Sequence, residues 1–336
     1  MVNVSFNEIN EIISKITPSY YEGKRALVTG GAGFLGSWMC ESLLALGANV
    51  VCLDNYSSGR EENIVHLQSN PNFTMIVQDV SKDLSLDDPF DYVFHLASRA
   101  GPFEFAEFPI EIIRSNTIGT MHALEIATKN HAKFLFTSTS ETYGEPSVFP
   151  TPETYRGNVN AVGPRGCYDE AKRCGEALCM AYLRQKGVDV RIARIFNTYG
   201  PRIRADGIYG RVIPRFMDQI VHEQPVTIFG DGSQTRCFCY VTDTVVGLLR
   251  LAAYDGCTGE VVNIGSSHEM TILELAKMIY TICDKEENLT YHPMPQDDPT
   301  RRLPDVSKAE NMLGWKADVT PEIGISRLLV YGTETL

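Results

Sequence analysis

A glycine-rich turn near the N-terminus constrains the fold more than any other feature of this 336-residue chain. Gly30, Gly33 and Gly36 follow a short apolar run, Arg25–Thr29, and precede a segment at 37–46 with helical character. Glycines at this spacing permit a tight turn, close packing of a helix on a strand, and approach of the backbone to a phosphate. The turn therefore predicts a strand–turn–helix unit whose helix N-terminus faces an anion.

An acidic residue at the end of the next strand indicates which dinucleotide cofactor would place its phosphates at this turn. Asn49–Asp54 has the composition of a second buried strand, and Asp54 follows Gly36 by 18 residues. A carboxylate at this place accepts hydrogen bonds from a ribose 2′-hydroxyl and repels a 2′-phosphate. The sequence therefore predicts NAD as the cofactor rather than NADP.

Further strand-like and helical segments alternate through the first 200 residues. The strand-like runs lie at 73–77, 92–96, 133–137 and 188–193, and the helical stretches lie around 109–130 and 169–186. Continuous apolar strands that alternate with helices are typical of a parallel sheet covered on both faces. We therefore predict an α/β fold with a Rossmann doubly wound parallel sheet, containing about six strands in this part of the chain.

The distribution of residue types along the sequence predicts three regions. Residues 1–21 are expected to form an N-terminal helical extension, because apolar residues recur there at helical spacing. Residues 22–200 are expected to form the NAD-binding Rossmann domain, to which 237–262 returns. Beyond residue 200, loops rich in Gly, Pro and Arg separate short elements. Residues 201–330 are therefore predicted to form mainly a smaller C-terminal lobe that binds the substrate.

Composition excludes several classes of protein. The 42 acidic residues outnumber the 30 basic ones, giving a net charge of −12, which argues against a nucleic-acid-binding protein. Apolar runs are too short for a transmembrane helix, so no membrane association is expected. The nine cysteines are scattered without a C-x-x-C pair, and the sequence has no spacing typical of a metal site. These features predict a cytoplasmic protein with reduced thiols and no metal.

Tyr168 and Lys172 are four residues apart, so a helix would place both side chains on one face. Such a pair alone is more often part of a solvated surface than of a catalytic site. Here another predicted strand ends in hydroxyl residues at Thr137-Ser-Thr-Ser140. A lysine ammonium lowers the pKa of a nearby phenol, which allows the phenol to act as a general base. The combination predicts proton transfer at a substrate hydroxyl.

Three motifs together resemble the extended short-chain dehydrogenase/reductase family of nucleotide-sugar epimerases, dehydratases and decarboxylases. They are Gly30-x-x-Gly33-x-x-Gly36, Ser138-Thr-Ser-Glu-x-Tyr-Gly144 and Tyr168-x-x-x-Lys172. The similarity extends over about 24–330. Within the family the chain most closely resembles the UDP-glucuronate decarboxylases, or UDP-xylose synthases. The stretches that carry this closer resemblance are Asn116-Thr-Ile-Gly-Thr120, Glu153-Thr-Tyr-x-Gly-Asn-Val-Asn160, Cys167-Tyr-Asp-Glu170 and Arg302-x-Pro-Asp-Val-Ser-Lys308.

The resemblance implies that Tyr168 removes the proton of the sugar 4-hydroxyl while NAD accepts a hydride. The next step is implied by Ser140 and Glu141. Dehydratases have an Asp-Glu pair at these positions, simple 4-epimerases have small or hydroxyl residues, and decarboxylases have Ser-Glu. The expected activity is decarboxylation of UDP-glucuronate to UDP-xylose through a 4-keto intermediate with internally recycled NAD. A nucleotide-sugar 4-epimerase, including one that acts on a UDP-uronate, remains the alternative, and the nucleotide base stays open.

The resemblance also implies the residues of the site and a homodimeric assembly. The expected catalytic residues are Thr139, Ser140, Glu141, Tyr168, Lys172 and Arg302. The expected cofactor-binding residues are Gly30, Gly33, Phe34, Leu35, Gly36, Asp54, Asn55, Asp79, Val80, Leu96, Ala97, Ser98, Asn116, Tyr168 and Lys172. The expected contacts to the diphosphate of the UDP-sugar are Asn197, Arg204, Arg211 and Arg236. Arg302 is expected to contact the carboxylate region of the sugar, where it and Glu141 would help to position the carboxylate and the incoming proton.

One loop departs from the decarboxylase pattern. It runs from Ser98 to Glu107 and normally borders the sugar. Arg99 would add a contact to a substrate carboxylate, whereas Glu104 and Glu107 would repel a uronate if they faced it. His95, at the end of the preceding strand, is predicted to anchor the loop or the core rather than to act in catalysis.

Overall fold

The computed structural model describes residues 4–84, 86, 89–204, 211–295 and 297–335. Residues 1–3 and 205–210 of the predicted extension and lobe lie outside this part. The strands are β1 Arg25–Thr29, β2 Asn49–Asp54, β3 Phe73–Val77, β4 Tyr92–His95, β5 Lys133–Thr139, β6 Val190–Ile195, β7 Thr198–Tyr199, β8 Val226–Phe229, β9 Thr235–Cys237, β10 Cys239–Tyr240, β11 Val261–Ile264, β12 Glu269–Thr271 and β13 Leu289–His292.

The helices alternate with these strands. They are α1 Val4–Ser14, α2 Phe34–Ala45, α3 Glu104–Glu107, α4 Pro109–Asn130, α5 Gly166–Lys186, α6 Val212–Val221, α7 Val241–Ala253, α8 Ile272–Ile282, α9 Ser307–Leu313 and α10 Pro321–Thr335. The longest helices, α4 and α5, each end at a residue in the left-handed conformation, His131 and Gly187, which directs the chain into the following strand.

Seven strands form one parallel sheet in the order β11-β6-β5-β4-β1-β2-β3. The strand order reverses between β1 and β4, and such a reversal leaves a crevice at the carboxyl ends of the strands. Helices α4 and α5 cover one face of the sheet, and α2 and α7 cover the other. The predicted doubly wound parallel sheet is confirmed. The strands read as apolar runs because both of their faces are buried.

The seventh strand, β11, was not among the six predicted from apolar runs. It is four residues long and pairs with β6, from Val261 opposite Ile192 to Ile264 opposite Ile195. Three two-stranded pairings lie outside the central sheet: β7 with β10, β9 with β12, and β8 with β13. The place of β11 in the sheet is decided by its pairing with β6, a strand distant in sequence, and not by a local pattern.

The N-terminal helix α1 packs against α2 and α7. Its buried Glu8 contacts the hydroxyl of Tyr240, and Glu11 accepts a hydrogen bond from Arg327 Nη1 of α10 at 2.7 Å. Arg250 of α7 donates to the carbonyl of Lys15 through Nε and Nη2, at 3.3 and 3.0 Å. The helix therefore joins the sheet-covering helix α7 to the last helix of the chain.

All nine cysteines are free thiols. Among the residues described above, no helix has the length and apolar character that crossing a membrane requires.

Candidate active site

A cavity of about 1060 Å³ opens at the carboxyl ends of the parallel strands. Its walls are the glycine turn between β1 and α2, the ends of β2, β4 and β5, the first turns of α5, and loops that follow β6 and β13. Because parallel strands all end at one edge of a sheet, residues distant in sequence meet there. The cavity is large enough to hold a dinucleotide and a second ligand together.

The glycine turn is closely packed, which explains why glycine occupies these positions. Gly30 has a φ of +74°, and a Cβ on it would lie 2.7 Å from the backbone of Ala97. A Cβ on Gly36 would collide with the carbonyl of Gly30, whereas a Cβ on Gly33 would meet only that carbonyl oxygen, at 3.1 Å. Gly33 is the N-cap of α2, so the helix N-terminus opens into the cavity.

Asp54 lies at the end of β2, next to the glycine turn. Its carboxylate accepts hydrogen bonds from the backbone N–H groups of Ala32, at 3.0 Å, and Tyr56, at 2.8 Å. Burial raises its pKa, and the backbone hydrogen bonds oppose this rise. A helix N-terminus and a fixed carboxylate in one cavity wall fit the pyrophosphate and the ribose of NAD.

Tyr168 and Lys172 lie on one face of α5, both buried. Lys172 Nζ donates to the carbonyl of Thr137 at 2.7 Å and lies 5.9 Å from the centre of the Tyr168 ring. Burial lowers the pKa of Lys172 to about 7. Burial raises the pKa of Tyr168 well above its ordinary value, and a hydrogen bond with Thr139 opposes the rise. The ring of Phe105 stacks on that of Tyr168, with centres 5.0 Å apart.

A cluster of charged side chains lies beside Tyr168 at the end of β5. Arg302 donates through Nη1 to Ser140 Oγ at 2.9 Å and through Nη2 to Glu141 Oε2 at 2.6 Å. Arg165 Nη2 contacts the same Glu141 oxygen. Burial by itself raises the pKa of Glu141, but Arg165 and Arg302 outweigh it and hold the pKa at about 2. Glu141 is therefore an anion at neutral pH.

Another part of the cavity wall contains several arginines. Arg236 donates through Nη2 to Asp298 Oδ2 at 3.0 Å, and Arg204 lies 5.7 Å from the centre of the Phe103 ring. Asn197 and Arg211 line the same wall. Guanidinium groups at such a wall suit phosphate oxygens.

The comparison with protein families matches residues 26–265 to the NAD dependent epimerase/dehydratase family. The chain belongs to this family. NAD is therefore its cofactor. A UDP-glucuronic acid decarboxylase 2 from Arabidopsis thaliana is 46% identical over 307 residues, which cover 90% of this chain and 67% of that protein.

Two solved structures of this family have the same fold. An epimerase from Methanothermobacter thermautotrophicus has a TM-score of 0.86 and 31% identity, covering 98% of this chain and 96% of that one. A UDP-glucuronic acid 4-epimerase from Bacillus cereus, solved in complex with UDP-glucuronic acid and NAD, has a TM-score of 0.83 and 29% identity. That alignment covers 93% of this chain and 100% of the other.

The cavity of this family member brings together nearly all the site residues that the sequence predicts. The catalytic set, the glycine turn, Asp54 and the predicted arginines all line its walls. Within the described part of the chain, Asn116 is the predicted residue that does not line it. Asn116 is buried in α4, where its Nδ2 donates to Ser98 Oγ at 2.9 Å and to the carbonyl of Ile112 at 2.8 Å. Its position supports Ser98, which does line the cavity.

The departing loop contains its own charge compensation. Glu104 is buried and accepts hydrogen bonds from Arg99 Nη1, at 2.7 Å, and from the backbone N–H of Gly101, at 3.0 Å. The guanidinium of Arg99 also lies over the ring of Phe108. Glu107 is exposed to solvent. Glu104 thus lines the cavity as half of an ion pair with Arg99, which weakens the repulsion of a uronate expected from its charge alone.

His95 is buried between two threonines. Its Nδ1 lies 2.7 Å from Thr29 Oγ1, and its Nε2 lies 3.1 Å from Thr120 Oγ1. Burial lowers its pKa to about 3, so the imidazole is neutral. These contacts agree with the predicted anchoring role. In the part of the chain described here, no group of His, Cys, Asp and Glu has the arrangement of a metal site.

Two residues of the charged cluster were missed at the sequence level. Arg165 contacts Glu141, and its Nη1 lies 3.8 Å from Asp298 Oδ1. Arg165 precedes Tyr168 by three residues, which is helical spacing, so its presence on the same face could have been noticed. The place of Asp298 depends on the path of a long loop, which no local pattern specifies.

Proposed function

We propose that this chain decarboxylates UDP-glucuronate to UDP-xylose through a 4-keto sugar, with NAD recycled within one catalytic cycle. The observation that carries the proposal is the contact of Arg302 with both Ser140 and Glu141 beside Tyr168. A cation at the end of β5 suits the carboxylate of a uronic acid. The likeness to UDP-glucuronic acid decarboxylases over 90% of the chain supports the same activity.

Tyr168 is the proposed base for the 4-hydroxyl of the sugar. Thr139 opposes the rise in the pKa of the buried Tyr168 phenol, and Lys172 lies on the same helix face. An ammonium group near the phenol favours the phenolate by Coulomb attraction in a cavity with little water. The glycine turn and Asp54 would hold NAD, which when bound would supply a reversible hydride acceptor for C4. Tyr168 takes the hydroxyl proton and gives it back at the end of the cycle.

Oxidation at C4 places the sugar carboxylate β to a ketone. The bond between C5 and the carboxylate then breaks, carbon dioxide leaves, and the electron pair forms an enolate across C5 and C4. In our proposal Arg302 orients the carboxylate, and Tyr168 and Thr139 donate hydrogen bonds to the enolate oxygen. Glu141 accepts a hydrogen bond from the water molecule that gives a proton to C5, since an anion with a pKa of about 2 is not itself the donor. The hydroxide that remains combines with the released carbon dioxide as bicarbonate, which balances the step.

We propose that the two parts of the chain bind different ligands, as the sequence predicts. Residues 22–200, with 237–262, bind NAD through the glycine turn and Asp54. Residues 201–330 mainly bind the UDP-sugar. Arg204, Arg211 and Arg236 compensate the diphosphate charge, which supports a nucleotide diphosphate as the activated group.

The test is an incubation of the purified, NAD-loaded protein with UDP-glucuronate labelled with ¹³C at C6. The expected result is labelled carbon dioxide and UDP-xylose. Tyr168→Phe should lower the rate at least about 100-fold, because it removes the base. Tyr182→Phe, at a half-buried tyrosine of α5 whose hydroxyl contacts Glu125 outside the cavity, is the matched control and should leave the rate unchanged. A labelled uronate epimer without carbon dioxide would overturn the proposal in favour of the 4-epimerase.

We also propose that the enzyme is a cytoplasmic homodimer. The nine free cysteines support a reducing compartment. Helix α4 exposes Ile110, Ile113 and Met121, which share one face of the helix at helical spacing. An apolar stripe of this kind is suited to pairing with the same stripe of a second copy around a twofold axis.

A further inference from the structure

We propose that Arg165 is a positioning residue that, with Arg302, holds Glu141 as an anion with one carboxylate oxygen directed into the cavity. The inference rests on the proposed function in that it assigns a role within the same site. It adds a residue that sequence motifs did not single out, and it predicts a pH dependence that the activity alone does not require.

The two arginines contact the same oxygen of Glu141. Arg165 Nη2 and Arg302 Nη2 both lie against Oε2, from the N-cap of α5 and from the loop before α9 respectively. Among the described residues, no protein group hydrogen bonds to Oε1 of Glu141, whose side chain lines the cavity and is 17% exposed. A carboxylate fixed through one oxygen in this way keeps the other available for a hydroxyl or water of the reacting complex.

Arg165 is itself fixed from three other directions. Its Nε lies 4.0 Å from Asp169 Oδ2, and its Nη1 lies 3.8 Å from Asp298 Oδ1. Its guanidinium also lies 5.5 Å from the centre of the Phe105 ring, which stacks on Tyr168. A planar fork with several donors suits such a site, whereas a lysine would supply only a point charge. Arg165 therefore links the orientation of Glu141 to the wall that holds Tyr168.

The ionisation of Glu141 depends on charges from three elements. Burial raises its pKa, and Arg165, Arg302 and Arg236 lower it, in that order of effect. Asp169 behaves in the opposite way, because burial and the charge of Glu141 raise its pKa to about 7. Tyr168 also borders Glu141 and has a pKa raised by burial and by that charge. Removing Arg165 removes the largest attraction, so burial and its acidic neighbour should move the pKa of Glu141 upward.

The direct test is a titration of the Glu141 carboxylate by ¹³C NMR in NAD-loaded protein labelled at glutamate Cδ. The Glu141 signal is assigned by its loss in Glu141→Gln. In the wild type it should not titrate between pH 4.5 and 9. In Arg165→Met the midpoint should rise by at least about three pH units, into the measured range, and in Arg165→Lys it should rise less. Arg184→Met, at the exposed end of α5, is the control and should match the wild type.

The kinetic test is the pH dependence of kcat for UDP-glucuronate. In Arg165→Met, kcat should fall on the acid side with the midpoint seen by NMR, and KM should change less than threefold. Arg165→Lys should restore much of the rate at neutral pH. A rate lowered equally at every pH, or a Glu141 signal that does not titrate in Arg165→Met, would overturn the proposal. If no carbon dioxide is released at any pH, the proposed function fails, while the NMR titration still decides the role of Arg165.

Discussion

Lys172 has a position in which its charge is costly for folding. Its ammonium is buried against the Phe136 ring, 5.0 Å from the ring centre, and its hydrogen-bond acceptor is the neutral carbonyl of Thr137. Burial lowers its pKa from 10.5 to about 7, so folding opposes the protonated form. The same group is needed near the Tyr168 phenol. Stability and catalysis therefore make opposite demands on one side chain, as is common in active sites.

A substitution of Lys172 should reveal this conflict as a pH-dependent change in stability. Because the folded-state pKa lies below the unfolded one, the cost is full below about pH 7 and disappears as the pH rises above 10.5. Lys172→Met should therefore raise the free energy of unfolding by about 3 kcal/mol more at pH 7 than at pH 9.5. The corresponding rise in Tm should be larger at pH 7 by a few degrees. Differential scanning calorimetry measures both values.

The control for Lys172→Met is Lys186→Met, at the exposed end of the same helix. It should change Tm equally at the two pH values. The interpretation is wrong if Lys172→Met gives the same Tm difference from wild type at pH 7 and pH 9.5. Activity of Lys172→Met should be lost in either case, since the phenol loses its cation.

At the scale of elements, the glycine turn and α2 form one unit in which two glycines are required for different reasons. Gly36 packs directly on the carbonyl of Gly30, so its missing side chain is required for the fold. Gly33 has space for a methyl group apart from a close approach to the same carbonyl, at 3.1 Å. We expect Gly33 to be required mainly for approach of the cofactor phosphates.

Two alanine substitutions distinguish these reasons. Gly36→Ala should lower Tm by several degrees, because backbone atoms of the turn must move. Gly33→Ala should change Tm by less than about 2 °C but weaken NAD binding at least about tenfold, because its methyl group would stand in the wall that receives the pyrophosphate. Thermal unfolding without added NAD and a fluorescence titration with NAD give the two quantities. Equal loss of Tm in both variants would contradict this separation.

Helix α5 shows how one element can carry several residues of a site. It begins at Gly166, with Arg165 as its N-cap, and carries Tyr168 and Lys172 along one face. The predicted helical stretch began near residue 169, so it left Arg165 outside. Helix starts are difficult to predict when, as here, the N-cap is not one of the side chains that usually accept a backbone hydrogen bond.

At the scale of the whole molecule, the exposed stripe of α4 gives a test of the homodimer. Ile113→Glu with Met121→Glu places two charges in the proposed interface and should convert the protein to a monomer in light scattering coupled to size-exclusion chromatography. Ile323→Glu, an exposed apolar position on α10, is the control and should leave the assembly unchanged. A wild-type protein that is monomeric at micromolar concentration would exclude the proposed dimer.

The sequence by itself determined the parts of this protein that depend on local spacing. The glycines at 30, 33 and 36, the carboxylate of Asp54 and the Tyr168–Lys172 pair specify a strand, a turn and a helix face within a few residues of each other. Apolar runs predicted the doubly wound sheet, because strands buried on both faces need no alternation. Motif likeness was enough to predict a set of residues that, except for Asn116, line the cavity.

Only the tertiary structure decided which charges meet. Arg302 reaches Glu141 across 161 residues of sequence, and Arg165 reaches it across 24. The same structure buries Glu104 against Arg99, which weakens a repulsion that the sequence suggested. Electrostatic effects depend on distance and burial rather than on residue type. The glycine turn could therefore be predicted from spacing alone, whereas the ionisation of Glu141 required the positions of all its neighbours.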